Sequence, residues 1–201
     1  MDYGRRVNIL TFVLALICCA IMAQSALPAV EIGQKVGEFQ LADASGKTHS
    51  LESYLSSGKV VVLCFWSFKC PVSLAYNRRL AALQEKYRSR GVAVLGVASN
   101  ANESPAEIER NAANLNLPFP VLIDKDGVVA DRLGATHTPQ IFVIDRSAVL
   151  RYRGALDNNR EAGESGRATY AEDTLEAVLS GRSVTQPETK AFGCSLKRKA
   201  F

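Results

Sequence analysis

Two stretches of the chain are apolar without interruption, and the rest of the pattern is arranged around them. Residues 59–66, KVVVLCFW, and residues 92–99, VAVLGVAS, are apolar runs of strand length, rich in β-branched residues. Such runs predict strands covered on both faces, as in a parallel sheet. Between them Val72, Leu74, Ala75, Leu80, Leu83 and Tyr87 recur at mostly helical spacings over residues 71–89, with Gly91 as a stop. The stretch SPAEIERNAANLNL begins with serine, proline and acidic residues in the order that a helix start favours. Strand and helix therefore alternate.

Upstream, FQLADASGKTHSLESYL has a turn at residues 45–47, predicting a small hairpin and a short helix. Downstream come the strand FPVLID, the turn KDG and a short helix over residues 128–133. QIFVIDRSAVLRYRGAL then predicts a hairpin turning at residues 146–148, and a last helix over residues 169–179 stops at Gly181. This order implies an α/β fold with a mixed central β-sheet flanked by helices on both faces. No repeat is visible, and the last 20 residues read as an extended tail.

The N-terminus carries a different signal. Arg5 and Arg6 precede the run ILTFVLALICCAIMA and the small residues AQSA. This run is shorter than the roughly 20 residues that span a bilayer. It is expected to be a signal peptide over residues 1–25, with an uncleaved anchor as the lesser reading. A linker over residues 26–32, one domain over residues 33–181 and a tail over residues 182–201 follow, in a protein exported to the periplasm or another extracytoplasmic space.

Composition narrows the chemistry. A net charge of +4, with no basic cluster interleaved with aromatic residues, argues against a nucleic-acid partner. Of five cysteines, Cys18 and Cys19 fall in the leader, leaving Cys64, Cys70 and Cys194. That odd number does not suit a closed disulfide framework.

FWSFKCPVS sets Cys70 at the end of a strand and the start of a helix. A thiolate there is favoured by the backbone N–H groups of the first turn, here those of Ser73 and Leu74. Pro71 is suited to that turn, and Lys69 adds a candidate positive charge. A local redox pair would need a second cysteine three positions on, where Ser73 stands. Cys64, alternating with Phe65 and Trp66, suits plain packing.

On these residues, VVLCFWSFKCPVS resembles the active-site segment of the thioredoxin superfamily. GATHTPQIFVIDRSAVLRYRGAL resembles its second signature, in which a cis threonine-proline peptide faces the cysteine. Within the superfamily the chain is most similar to redoxins of the alkyl hydroperoxide reductase and thiol-specific antioxidant group. The likeness, which includes CPVS, AYN and a late KAFGC, covers about residues 33–196.

The resemblance implies a thioredoxin-like fold, a cis Pro139, and Thr138 and Pro139 as a substrate-facing wall opposite Cys70 and Pro71. It also implies a thiol-dependent oxidoreductase that reduces a peroxide or a disulfide through Cys70, with an external thiol reductant and no cofactor. Two positions depart from the peroxiredoxin pattern. Ser67 and Cys70 match it, but Leu63 takes the place of its proline and Pro139 that of its arginine. Stabilising the oxyanion of peroxide cleavage would then fall to Ser67, backbone N–H groups or a residue not identified by the pattern. Exported thiol-disulfide reductases are closer at the proline loop, but they carry two cysteines where this chain has Cys70 and Ser73.

Cys194, in TKAFGCSLKRK, is the candidate resolving cysteine: an accessible, acidified thiol on a flexible segment. Pairing with Cys70 needs Cα atoms within about 7 Å. The tail must therefore fold back, or a second subunit must supply the thiol. His137, two residues before Pro139, is a candidate proton partner. A histidine near one or two cysteines could also hold copper, as in thioredoxin-fold copper chaperones. Those resemble one another in a CxxxC pair, whereas residue 74 is Leu, so no metal site is expected. A non-catalytic binding module on the same fold stays as the other alternative. Tyr76 and Arg78 read as packing or surface residues, and ANESPAEIER as a solvated helix start.

Overall fold

The computed structural model describes residues 28–161 and 168–199, so the leader assigned to residues 1–25 lies outside the described residues. A hairpin of β1 (Gln40–Ala42) and β2 (Thr48–Ser50) comes first. Its turn is closed by the Asp43 carboxylate, which accepts from the N–H groups of Ser45 and Lys47. The helix α1 (Leu51–Ser56) follows, capped by the Ser50 hydroxyl on the Ser53 N–H.

The strand β3 (Val60–Phe65) leads to α2 (Pro71–Arg88), and β4 (Val92–Ala98) to α3 (Pro105–Leu115), as the pattern predicts. Ser104 and Glu107 form a reciprocal capping box at the start of α3. Next are β5 (Val121–Ile123), α4 (Val128–Leu133) and a two-residue strand β6 (His137–Thr138). The hairpin of β7 (Gln140–Ile144) and β8 (Leu150–Gly154) and the helix α5 (Tyr170–Leu179) complete the predicted elements. A further two-residue strand, β9 (Cys194–Ser195), lies in the tail.

Five strands form the central sheet in the order β5-β4-β3-β7-β8. The strands β3, β4 and β5 run parallel, while β7 is antiparallel to β3 and β8 to β7. β3 is central and all six of its residues are buried. Val60, Val62, Cys64 and Trp66 face a core built with α2, α3 and α5. Val61, Leu63 and Phe65 face a second core built with α1 and α4. Alternate residues thus serve opposite faces, and each buried Val, Leu or Phe contributes about 1.5–3 kcal/mol. This pins the register of the strand that delivers Cys70.

The tail is part of the fold rather than a free extension. Thr189 N–H donates to the Arg153 carbonyl at 3.1 Å, Leu196 N–H to the Thr136 carbonyl at 2.8 Å, and Lys197 N–H to Asn100 Oδ1 at 2.8 Å. At its end Arg198 pairs with Asp131 at 2.9 Å. Residues 30–32, expected as linker, also engage the domain: Val30 N–H donates to the Arg132 carbonyl, and Val30 and Ile32 pack on the second core. Among the described residues no helix is long and apolar enough to cross a membrane.

Candidate active site

Past the end of β3, Trp66 N–H still donates to Val97 in the ladder. The chain then turns, with Cys70 N–H on the Ser67 carbonyl at 3.3 Å. Cys70 is the N-cap of α2, in extended conformation, with Pro71 in the first turn. Its side chain points across to the cis Thr138–Pro139 peptide. The Cys70 thiol donates to the Thr138 carbonyl at 2.8 Å. Cys70 and the threonine-proline peptide thus face each other as the sequence implies.

The tail closes the site from the third side. β9 pairs antiparallel with β6, Cys194 opposite Thr138 and Ser195 opposite His137. No second subunit is needed to bring the two thiols together: the β6–β9 pairing sets Cys194 opposite Thr138, whose carbonyl the Cys70 thiol contacts, near enough for the Cys194 thiol and N–H to act on Cys70 electrostatically. Gly193 makes the approach feasible. At its φ of +147° an added Cβ would stand 2.3 Å from the Thr138 carbonyl oxygen. Two residues before Cys194, Phe192 packs edge-on against Tyr76 of α2, with ring centroids 6.3 Å apart.

Electrostatics separate the two thiols. Burial works against ionisation of Cys70, but the Cys194 thiol and the Ser73 and Cys194 N–H groups outweigh it. They hold Cys70 below the ordinary thiol range. Cys194 goes the opposite way, pushed up to about 11, first by its hydrogen bond to Cys70, then by burial and the Cys70 charge. The expected acidified, mobile Cys194 is therefore corrected: nearby Lys197 lowers its pKa, but the contact with Cys70 prevails. Burial pushes the Cys64 thiol far up and leaves it inert.

The other candidates divide. Ser73 is fully buried and serves Cys70 through its N–H, while its hydroxyl has no partner. Ser67, expected to face a reacting oxygen, instead donates its hydroxyl to Glu103 in a very short hydrogen bond. The Lys69 N–H donates to the same two side chains, so Glu103 anchors the loop before Cys70. The Lys69 ammonium is also not a neighbour of Cys70, because it bonds the Asn102 carbonyl and lies 3.5 Å from Glu107. His137 is half-buried, and its Nδ1 bonds the Thr136 hydroxyl at 2.9 Å.

Four residues of the site's frame have no clear sequence signal. Glu103 is buried, and burial raises its carboxyl above the ordinary 4.5. Arg79, not Arg78, is the buried cation of α2. It pairs with Asp157 at 2.8 Å, both side chains almost wholly enclosed, and lies over the Tyr76 ring. Phe192, braced on its other side by Arg160, completes the set. Among the described residues no group of three or more His, Cys, Asp or Glu side chains could hold a metal ion.

Comparison with known proteins agrees with this geometry. The chain is 31% identical over 123 residues to the thiol-disulfide oxidoreductase ResA of Geobacillus thermodenitrificans, covering 61% of this chain and 68% of that protein. It is 34% identical over 140 residues to the thiol:disulfide interchange protein DsbE of Yersinia pestis, covering 69% of each. In structure it is similar to a conserved protein of Geobacillus kaustophilus, with TM-score 0.77, 29% identity and coverage of 85% of this chain and 94% of that one. Residues 32–153, which include Cys70 and the cis-proline loop, match the AhpC/TSA family. The chain belongs to the AhpC/TSA family and is a thiol-dependent oxidoreductase on a thioredoxin-like fold.

Proposed function

We propose that this protein reduces disulfides by thiol-disulfide exchange, with Cys70 as the attacking thiolate and Cys194 as the resolving thiol. The observation that carries this reading is that the β6–β9 pairing sets Cys194 opposite Thr138, the residue whose carbonyl the Cys70 thiol contacts at 2.8 Å. The names of the ResA and DsbE relatives support the same chemistry. Cys70 attacks one sulfur of the substrate, expels the other as a thiolate and forms a mixed disulfide. Neutralising Cys70 removes the hydrogen bond and the charge that raise Cys194, leaving only burial to oppose the ionisation that Lys197 favours. Cys194 then loses its proton to solvent and attacks Cys70, releasing the second substrate thiolate and leaving a Cys70–Cys194 disulfide. Two electrons pass from the cysteine pair to the substrate. An external thiol reductant resets the pair.

Peroxide reduction, the antioxidant activity implied by the wider resemblance, is a second use of the same pair. Cys70 would become a sulfenic acid that Cys194 condenses to the disulfide, releasing water. The thiolate character of Cys70 favours it. The commitment of Ser67 to Glu103 removes the side-chain donor assigned to the developing oxyanion, so disulfide exchange is the leading reading. We also place the protein outside the cytoplasm, on the strength of the leader over residues 1–25.

Stopped-flow reaction of the reduced protein with a small disulfide, and separately with hydrogen peroxide, tests this account. Rapid reaction with the disulfide, lost in Cys70→Ser, is expected. A Cys70→Ser variant as fast as the unaltered protein would sink it. Faster oxidation by peroxide than by disulfide would promote the second reading.

A further inference from the structure

A cleft of about 470 Å³ lies between the segment before β1, the β7–β8 turn and the residues that follow α5. Its volume falls in the range of small-molecule sites, about 300–1,000 Å³. Val60, the first residue of β3, lines it, and Cys70 lies past the other end of that six-residue strand. Six residues of strand cover about 20 Å, so the cleft is remote from the two thiols.

The polar part of the lining is cationic. Arg146, Arg151 and Arg182 stand there against one carboxylate, that of Asp145, an excess of two positive charges. The carboxylate is already committed. Asp145 Oδ1 accepts from the N–H groups of Ser147 and Val149, at 2.8 and 3.0 Å, and Oδ2 accepts from Arg151 Nε at 2.6 Å. Arg146 donates through Nε to the Gly58 carbonyl at 2.7 Å, a neutral partner. Among the described residues the Arg182 side chain has no hydrogen bond or ion pair. Each guanidinium carries several N–H donors and no acceptor, so the cleft holds donors and positive charge in surplus.

The rest of the lining is apolar: Ile32, Val178, Val184 and Pro187 are only half-buried and face the same cleft. We propose that this cleft binds a small amphipathic organic anion, its phosphate or carboxylate head held by Arg146 and Arg182 and its short aliphatic body lying against Val178 and Val184. Guanidinium groups match both kinds of head through paired N–H···O bonds. An inorganic anion leaves the apolar walls in water, and an uncharged aliphatic molecule leaves the guanidinium donors unmatched. Binding here breaks no covalent bond and moves no electrons, so the proposal stands independently of the redox roles of Cys70 and Cys194.

Titration of the isotope-labelled full-length protein with hexyl phosphate, followed by its amide chemical shifts, tests the proposal. Saturable shifts are expected at Gly33, Ser147, Gly181 and Ser183, with a Kd below about 1 mM. Inorganic phosphate and hexanol should each bind about tenfold more weakly, because each satisfies only one part of the lining. Arg182 is exposed and bonds nothing, so Arg182→Ala leaves the fold intact and should weaken hexyl phosphate binding about tenfold, the loss of one charge-assisted contact. Arg146→Ala should act in the same direction. Arg110→Ala, which removes an exposed cation of α3 outside the cleft, should leave the Kd unchanged. The proposal is overturned by the absence of saturable shifts at the cleft residues or by inorganic phosphate binding as tightly as hexyl phosphate. A Kd that neither Arg182→Ala nor Arg146→Ala moves, or that Arg110→Ala moves as much, overturns it equally.

Discussion

Cys194 and Thr138 are partners across a two-stranded pairing of only two residues each, and Thr138 also accepts the hydrogen bond from Cys70. One short contact therefore ties the attacking thiol, the threonine-proline loop and the tail together. In the proposed reaction Cys194 has two roles, as donor to the Cys70 thiolate and as the nucleophile of the second step.

The donor role predicts a pH effect. Cys70 ionises below the ordinary thiol range because donors that include the Cys194 thiol stabilise its charged form. Removing that thiol must shift Cys70 ionisation upward. The pH profile of Cys70 alkylation by iodoacetamide should move to higher pH in Cys194→Ala and less far in Cys194→Ser, where a hydroxyl can still donate. Superimposable profiles in all three proteins would refute this role.

Glu103 predicts a pH effect on stability of opposite sign to that of a typical salt-bridged carboxylate. Its raised pKa means that the folded state binds the proton more tightly than the unfolded chain. Its contribution to stability is thus greatest near or below its ordinary 4.5 and is lost as pH rises through the folded value. Glu103→Gln keeps an acceptor for Ser67 and removes the buried charge. Thermal melts should show this variant gaining on the unaltered protein between pH 4.5 and neutrality; a constant difference would contradict the assignment.

The Arg79–Asp157 pair joins the helix carrying Cys70 to the loop after β8, and both side chains are almost wholly buried. Breaking such a pair from one side costs about 3–5 kcal/mol, because it strands the other charge. Arg79→Met should lose that much in urea unfolding, and adding Asp157→Leu should recover a large part. A double variant weaker than the sum of the two single losses would show that the pair is not the reason for the cost.

Much of this architecture is legible in the sequence. The continuous runs at residues 59–66 and 92–99 announce the buried strands, and the proline and glycine stops bound the helices. The cis peptide at Pro139 follows from the likeness of GATHTPQIFVID to a known signature. Elsewhere the local signal is silent or ambiguous. β6 and β9 are two residues long, too short for any periodicity, and they pair only because the fold brings the tail back. Glu103 stands beside a helix cap, where an acidic residue reads as solvated; its burial depends on Ser67, from a distant part of the chain. Which of the neighbours Arg78 and Arg79 turns inward is set by the phase of α2 against the Asp157 loop. The placement of Cys70 was local information, whereas its chemical environment was not.

The most direct test of the central claim is peptide mapping by mass spectrometry of the full-length reduced protein, before and after one equivalent of the mercaptoethanol disulfide. The account predicts a new peptide linking Cys70 to Cys194 within one chain, with Cys64 remaining a free thiol. A mercaptoethanol adduct persisting on Cys70 while Cys194 stays free would contradict it and leave a one-cysteine enzyme resolved by an external thiol.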